Sequence, residues 1–97
     1  MTRKIVYEQT ARDDLKEIYF WIADAGVALA YIDRIYGHCE KLISFPDRGT
    51  SRDDVSPGLR TINFERRCTI AYAVEPGRIR ILRVLGKGQD VAAQFQD

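Results

Sequence analysis

Apolar side chains recur every three or four residues in two stretches of the chain, a spacing typical of one face of an α-helix. The first stretch runs from residue 10 to about residue 24, and the second from residue 27 to about residue 43. Thr10 is the expected N-cap of the first helix, because a threonine hydroxyl can accept a hydrogen bond from the first turn. Only the segment around Gly26 separates the two helices, so we expect them to form an antiparallel hairpin.

The apolar stripes of these helices predict which side chains enter the core. They consist of Ala11, Leu15, Ile18 and Ile22 in the first helix and of Ala28, Ile32, Ile35, Tyr36, Cys39, Leu42 and Ile43 in the second. Phe20 projects away from the first stripe, among charged residues, and is therefore expected to be exposed. An exposed aromatic ring on so polar a face is either incidental or a contact for a partner.

Four shorter stretches are rich in β-branched and aromatic side chains, which is typical of strands. They are residues 4–7, 59–64, 68–74 and 79–85. Short polar breaks separate the last three, which therefore predict an antiparallel meander. The predicted fold class is α+β: an N-terminal strand, an antiparallel helix hairpin, and a three-stranded antiparallel meander packed on the helices.

The central meander strand has no strongly polar face, so we expect both of its faces to be covered. The helix hairpin can cover one face. The other face is left to the C-terminal tail or to a bound partner.

Length and composition narrow the class of protein. With 97 residues, 45% of them apolar, the chain is too short for two cores and too apolar for disorder, so we expect residues 1–97 to form one domain. The longest apolar run is far below the roughly 20 residues that cross a bilayer, and the N-terminus lacks a signal-peptide core. We therefore expect a cytoplasmic protein that does not contact a membrane.

The residues that most often bind metals are few and badly spaced. Cys39, Cys68 and the single histidine, His38, share no metal-ligand spacing, so we expect neither a metal nor a cofactor. In a reducing cytosol the two cysteines are expected to be free and buried, with a disulfide as the alternative.

The net charge of +1 hides an asymmetry along the chain. Residues 8–24 contain five acids and two bases, whereas residues 60–87 contain seven bases and two acids. Such a basic region either faces an acidic partner or is a solvated face of the sheet, and both interpretations stay open.

Several short sequence words occur in a fixed order along nearly the whole chain. They are ARDDL at residues 11–15 with Ile18 and WIA at 21–23, LISFP at 42–46 with Gly49, RDDV at 52–55, PGLR at 57–60, IAYAV at 70–74, ILRVL at 81–85, and Asp90. In this order and spacing they resemble the ParE toxins, members of the RelE/ParE superfamily of bacterial toxin-antitoxin systems. Gly86 is a departure, since the family often has histidine there.

The resemblance implies one of two activities: ParE-like toxins inhibit DNA gyrase, whereas RelE-like toxins cleave messenger RNA on the ribosome. RelE-like toxins use loop lysines, two sheet arginines and a near-terminal tyrosine. The RelE pattern places its arginines on Phe64 and Gly88 and its tyrosine on Gln94, and residues 47–58 contain no lysine.

A cationic face without a proton acceptor is a binding surface, so we expect no catalytic residues and favour a gyrase inhibitor. A RelE-like ribosome-dependent mRNA endoribonuclease is the alternative. A toxin remnant that binds only its antitoxin is a third possibility.

The resemblance also implies a partner, a ParD-like antitoxin with a ribbon-helix-helix DNA-binding dimer and a C-terminal segment that folds as it wraps around the toxin. We expect a hetero-oligomer of the two, with no sequence-specific DNA binding by this chain. Helix docking and strand addition both use exposed apolar surface beside an open sheet edge. The expected antitoxin-binding residues are therefore Phe20, Trp21, Leu82 and Val84.

The expected target-binding residues are Arg60, Arg80, Arg83 and Lys87. Strand alternation predicts that Arg80 and Arg83 face opposite sides of the sheet, unless the strand contains a bulge. We favour Arg83 and Lys87 as the functional pair, because Lys87 continues the side of the strand on which Arg83 lies. Arg60 has a competing role, since it can hold the loop 47–58 by pairing with one of its aspartates.

Overall fold

The structure, a computed structural model, describes residues 3–95. Two helices lie between the first strand and the other strands, and a short third helix follows the last strand. In chain order the elements are β1 (Lys4–Tyr7), α1 (Gln9–Trp21), α2 (Ala25–Glu40) with a 3₁₀ turn (Lys41–Ile43), β2 (Thr50–Ser51), β3 (Leu59–Phe64), β4 (Cys68–Glu75), β5 (Arg78–Gly86) and α3 (Val91–Gln94).

The strands form one sheet in the order β1-β5-β4-β3-β2. β3, β4 and β5 are the predicted antiparallel meander. The sheet is larger than predicted, because β1 pairs in parallel with β5 and the short β2 pairs with β3. β5 is therefore an inner strand, and the α+β fold class is confirmed.

The helix boundaries differ from those that the sequence predicts. The N-cap of α1 is Glu8 and not Thr10, and the helix ends at Trp21 and not near residue 24. The Thr10 hydroxyl donates to the carbonyl of Leu82 (2.7 Å) instead of capping the helix. α2 begins at Ala25 because the Asp24 carboxylate accepts from the N–H of Val27 (3.0 Å), which makes Asp24 the N-cap.

The core lies between the helices and one face of the sheet. The predicted stripes are largely confirmed, but Tyr31 is buried, whereas Tyr36 is 41% exposed and makes an edge-on contact with Tyr7. The fully buried centre contains Ile35, Leu42, Ile70, Tyr72, Ile79 and Ile81. In β4, the adjacent Ala71 and Tyr72 are both completely buried, so both faces of the central strand are covered, as predicted.

α1 closes the part of the β5 edge that β1 does not reach. The pairing of β1 ends where Tyr7 meets Ile81, and β5 continues to Gly86. Beyond that point the Asp14 carboxylate, only 8% exposed, accepts from the N–H of Val84 (2.9 Å). The expectation of an open sheet edge at the last strand is therefore wrong, since helix side chains occupy it.

A β-bulge at Leu82 changes the phase of the last strand. Ile81 lies opposite Tyr72 and Arg83 lies opposite Ala71, so Leu82 has no partner in β4. Arg83 consequently shares a face with Arg80, and the prediction that the two arginines face opposite sides is wrong. After the bulge Val84 points into the core, where it is 2% exposed.

Arg83 links three elements through one guanidinium group. Its Nε and Nη2 donate to the Asp14 carboxylate of α1 (2.8 and 3.0 Å), and its Nη1 donates to the side-chain oxygen of Gln94 in α3 (3.0 Å). The C-terminal segment is thus attached to β5 at the sheet face that the helix hairpin does not cover.

Both cysteines are free and buried, as expected. Burial raises the pKa of the Cys39 thiol to about 12 and also raises the pKa of Cys68, which receives a hydrogen bond from the Tyr31 hydroxyl (3.7 Å). Neither thiol is therefore a thiolate at neutral pH.

His38 packs against the ring of Phe64, with centroids 5.0 Å apart. Its Nε2 is buried and has no hydrogen-bond partner among residues 3–95. Burial, and then the positive charges of Arg48 and Lys41, lower the pKa of His38 below its ordinary value of 6.5.

Replacing Asp14 by asparagine should destabilise the fold by about 2–4 kcal/mol, because the change leaves Arg83 without its counter-charge at a largely buried site. Urea unfolding followed by circular dichroism measures the loss. Asp13→Asn is the matched control, since Asp13 is exposed and should change stability by less than about 0.5 kcal/mol. Equal stabilities of the two variants would contradict the role of Asp14.

The free energy of unfolding should fall as the pH is lowered through 6.5 toward the lower pKa of His38 in the folded state, because the unfolded chain protonates His38 before the folded chain does. This contribution is complete above pH 6.5 and is lost on the way down to the lower pKa of the folded state. His38→Gln should flatten the profile over this range in urea titrations. A variant that keeps the wild-type slope would exclude His38 as its source.

Candidate functional site

The C-terminal end of α1 presents two exposed aromatic rings. Phe20 is 79% exposed and Trp21 is 85% exposed. The Phe20 ring contacts only the edge of the neighbouring Tyr19 ring (5.4 Å) among the aromatic pairs of residues 3–95. The predicted exposure of Phe20 is confirmed, so its ring is available to a partner.

A groove of about 500 Å³ begins at Trp21 and runs between the two helices and the adjoining ends of β4 and β5. One part of its lining is apolar or aromatic, and the charged part contains two acids, Asp14 and Glu17, and two bases, Arg67 and Lys87. The lining residues are Asp14, Glu17, Ile18, Trp21, Tyr31, Arg67, Cys68, Val84, Gly86, Lys87 and Gln89.

A second pocket of about 300 Å³ adjoins the groove and is polar. It shares Arg67, Cys68, Gly86, Lys87 and Gln89 with the groove, and adds Asn63, Arg66, Thr69 and Gly88. We call Arg66, Arg67 and Lys87 the basic cluster. Within the described part of the chain, none of the three forms an ion pair.

The β3–β4 turn carries Arg66 and Arg67 and has an unusual backbone conformation at Arg66 and at the preceding Glu65. Glu65 and Arg66 have φ values of 50° and 58°, in the left-handed region that favours glycine. Arg34 binds the Glu65 carboxylate through two hydrogen bonds (2.8 and 3.1 Å), which anchors the turn and neutralises its acid. The turn therefore contributes positive charge to the pocket.

Arg66 and Arg67 were not among the predicted site residues, because residues 65–67 were interpreted only as a break between strands. Their connection to Lys87 depends on strand register: Cys68 pairs with Gly86, so the residues just beyond this pair lie side by side. A pair of arginines in a hairpin turn is the sequence signal from which the site could have been found.

Two of the predicted target-binding arginines are already engaged inside the protein. Arg83 is held by Asp14, as described above, and Arg80 pairs with Glu8 (2.7 Å) and Glu75 (2.7 Å). The Arg83 guanidinium is directed at α1 and α3, so the structure does not bring it into the groove with Lys87. The choice of Arg83 and Lys87 as a functional pair stays a prediction. Only Lys87 of the four predicted cations lines the groove.

Arg60 holds the loop that precedes β2, which is the competing role that the sequence suggested. Its Nη2 donates to the carbonyls of Asp47 (2.9 Å) and Gly49 (2.6 Å), not to a loop aspartate. The hydroxyl of Tyr72, opposite Arg60 in the sheet, donates to the carbonyl of Pro46 (2.8 Å) and accepts from the Gly49 N–H (3.0 Å). Arg60 therefore acts on the conformation of this loop.

Of the two predicted antitoxin-binding residues in β5, Leu82 is half-buried and Val84 is buried. The expectation that Val84 is an exposed anchor is wrong, because the bulge at Leu82 turns it into the core. Leu82 and the two aromatic residues of α1 keep accessible surface.

Burial or pairing acts on three titratable side chains of the groove, whereas Glu17 is exposed. Burial raises the pKa values of Tyr31 and Cys68, and the Asp14 carboxylate is engaged by Arg83. The arrangement suits binding: anions at the basic cluster and apolar or aromatic groups beside Trp21.

Residues 3–95 contain neither a metal-binding cluster nor a membrane-spanning helix. No group of three histidine, cysteine or acidic side chains is placed to hold a metal ion. No helix of that part is both long enough and apolar enough to span a bilayer.

Comparison with known proteins identifies the family of this chain. The family described as the ParE toxin of the type II toxin-antitoxin system parDE matches residues 5–91. Toxin ParE3 of Caulobacter vibrioides is 35% identical over 69 residues, which cover 71% of this chain and 68% of that protein.

Solved structures share the fold. A chain of the chromosomal ParDE toxin-antitoxin system from P. aeruginosa superposes with a TM-score of 0.73 at 25% identity, covering 88% of this chain and 96% of the other. A chain of the toxin-antitoxin complex RelBE2 from Mycobacterium tuberculosis superposes with a TM-score of 0.60 at 18% identity, covering 90% and 100%. The earlier resemblance is confirmed: this chain belongs to the ParE toxin family of type II toxin-antitoxin systems, within the RelE/ParE superfamily.

Proposed function

We propose that this ParE-type toxin inhibits DNA gyrase by binding to it, without catalysing a reaction of its own, and that a ParD-like antitoxin neutralises it. The observation that carries the proposal is the chemistry of the groove. It combines cations that form no ion pair within residues 3–95 and an exposed tryptophan with two groups whose pKa burial raises, Tyr31 and Cys68, and with the ion-paired Asp14. Such a surface can bind a partner, but it offers RNA cleavage only Glu17 as an accessible proton acceptor.

The basic cluster is the proposed target-binding surface. Lys87 keeps the role that the sequence suggested for it, and Arg66 and Arg67 join it from the β3–β4 turn. Arg60, Arg80 and Arg83 are assigned to the fold instead, because their guanidinium groups bind carbonyl or carboxylate groups of the same chain.

The proposed antitoxin-binding surface is the exposed end of α1. Phe20 and Trp21 can supply the aromatic anchors that dominate many interfaces, and the half-buried Leu82 is retained as a candidate. A ParD-like antitoxin is supported by the P. aeruginosa relative, which belongs to a ParDE system. Its ribbon-helix-helix dimer and the resulting hetero-oligomer are parts of the proposal.

Purified toxin should cause cleaved DNA–gyrase complexes to accumulate when it is mixed with gyrase and supercoiled plasmid. Lys87→Glu should reduce this effect at least about threefold without changing the melting temperature, because an exposed charge at a partner surface contributes to association. Lys16→Glu, an equally exposed charge reversal on α1, is the matched control and should act like wild type. Cuts in ribosome-bound messenger without any gyrase effect would favour the endoribonuclease alternative and overturn the proposal.

Phe20→Ala should weaken antitoxin binding by about 1–3 kcal/mol, as truncation of an aromatic anchor does, while stability changes by less than about 0.5 kcal/mol. Isothermal titration calorimetry with the antitoxin and a thermal melt measure the two quantities. Phe45→Ala is the control, because Phe45 is 64% exposed but lies outside α1. Unchanged binding by the Phe20 variant would remove this ring from the interface.

A further inference from the structure

We infer that the basic cluster and the adjoining groove form a binding site for single-stranded DNA, with backbone phosphate at the cluster and an unstacked base against Trp21. The inference rests on the proposed function and deepens it, since DNA is the substrate of the proposed target. The proposed contacts are to the sugar-phosphate chain and not to base edges. They are therefore compatible with our expectation that this chain does not bind DNA sequence-specifically.

The charge balance of the polar pocket favours phosphate. Three cations line it, and its lining contains no carboxylate. Two acids adjoin the lining in sequence: Glu65 is neutralised by Arg34, and Asp90 accepts from the N–H of Ala92 as the N-cap of α3. Asp14 of the adjoining groove is neutralised by Arg83. An anion that enters the pocket therefore meets uncompensated positive charge.

The neutral side chains of the pocket add hydrogen-bond donors. The amide oxygen of Asn63 accepts from the Thr69 hydroxyl (3.1 Å), and the amide oxygen of Gln89 accepts from the N–H of Gly86 (2.6 Å). In both amides the oxygen is occupied, which leaves the NH₂ groups to donate. Donors without competing acceptors suit the oxygens of a phosphodiester.

The groove provides room for a base beside the phosphate bound at the basic cluster. Because the groove and the pocket share five lining residues, a strand held at the cluster can continue toward Trp21. The indole is 85% exposed, and stacking on an exposed aromatic ring requires a base that has left its duplex. Glu17 lies in the groove and not in the pocket, which keeps phosphate at the basic end.

The backbone conformation of the turn offers a clean way to remove the charge of Arg66. At a φ of 58°, asparagine or glycine would be less strained than arginine. Removing the charge of Arg66 can therefore be separated from damage to the fold.

Fluorescence anisotropy with a labelled single-stranded DNA of about 12 nucleotides tests the site on the full-length toxin, without gyrase or antitoxin. Wild type should bind with a slope of log K against log salt of about −1.4 to −2.1, as expected for two or three phosphate contacts. The triple variant Arg66→Asn, Arg67→Gln and Lys87→Gln should bind at least about tenfold more weakly at low salt, with a slope close to zero.

The charge-matched control replaces Arg12, Lys16 and Lys41 by glutamine, since these exposed residues form no ion pair within residues 3–95 and line neither cavity. It should lose less than about twofold in affinity, because it removes the same net charge away from the site. A loss equal to that of the triple variant would overturn the inference, because binding would then follow net charge alone.

Two single variants distinguish a loss of DNA binding from a loss of fold stability. Arg66→Asn should weaken binding and flatten the slope by about 0.7 while the melting temperature stays equal or rises. Trp21→Ala should weaken binding of the single strand more than binding of the matching duplex. Equal binding of single strand and duplex by wild type would overturn the assignment of Trp21, and tighter binding of an RNA of the same sequence would overturn the assignment to DNA.

The outcomes for the site and for the proposed function are distinguishable. Gyrase inhibition without oligonucleotide binding would refute the DNA site and leave the proposed function in place. Oligonucleotide binding that depends on the cluster, without gyrase inhibition, would support the site and refute the proposed target.

Discussion

The buried carboxylate of Asp14 is the interaction on which the arrangement of this toxin depends. It accepts hydrogen bonds from a strand N–H and from the Arg83 guanidinium, and through that guanidinium it is linked to α3. A carboxylate with so little contact with water is tolerated only when its oxygens are paired. The helix, the strand edge and the C-terminal segment are therefore fixed relative to one another by one charged group.

This arrangement also determines where the functional surface lies. Because β1 and α1 occupy the outer edge of β5, the last strand offers no long open edge to another chain. Accessible surface remains at the end of the sheet, where the β3–β4 turn and the segment after β5 come together. The groove forms there, with Trp21 at one end and the basic cluster at the other.

Periodicity and strand composition predicted the elements that depend on local pattern: the helix hairpin, the meander, and the exposure of Phe20. They failed where the outcome depends on contacts between distant residues. Nothing in ILRVL marks Leu82 as a bulge, yet that one unpaired residue reverses the orientations predicted for Arg83 and Val84. Asp14 lies at helical spacing from Ala11 and Ile18, beside the predicted stripe, but only the position of β5 shows that its carboxylate is buried and paired. Lys87 was predicted from its charge and its place in the strand alternation, whereas Arg66 and Arg67 required the register of β4 against β5.

The parallel pairing of β1 with β5 has a consequence for synthesis of the toxin. The first strand of the sheet finds its only neighbour in the last one, so its backbone groups cannot be paired while the ribosome is still making the intervening segments. Closure of such a distant pair is a late step in folding, since loop entropy opposes it until the other contacts are in place. A partly translated chain thus lacks the strand that positions Asp14 and completes the groove, and the folded toxin can exist only after β5 has left the ribosomal exit tunnel.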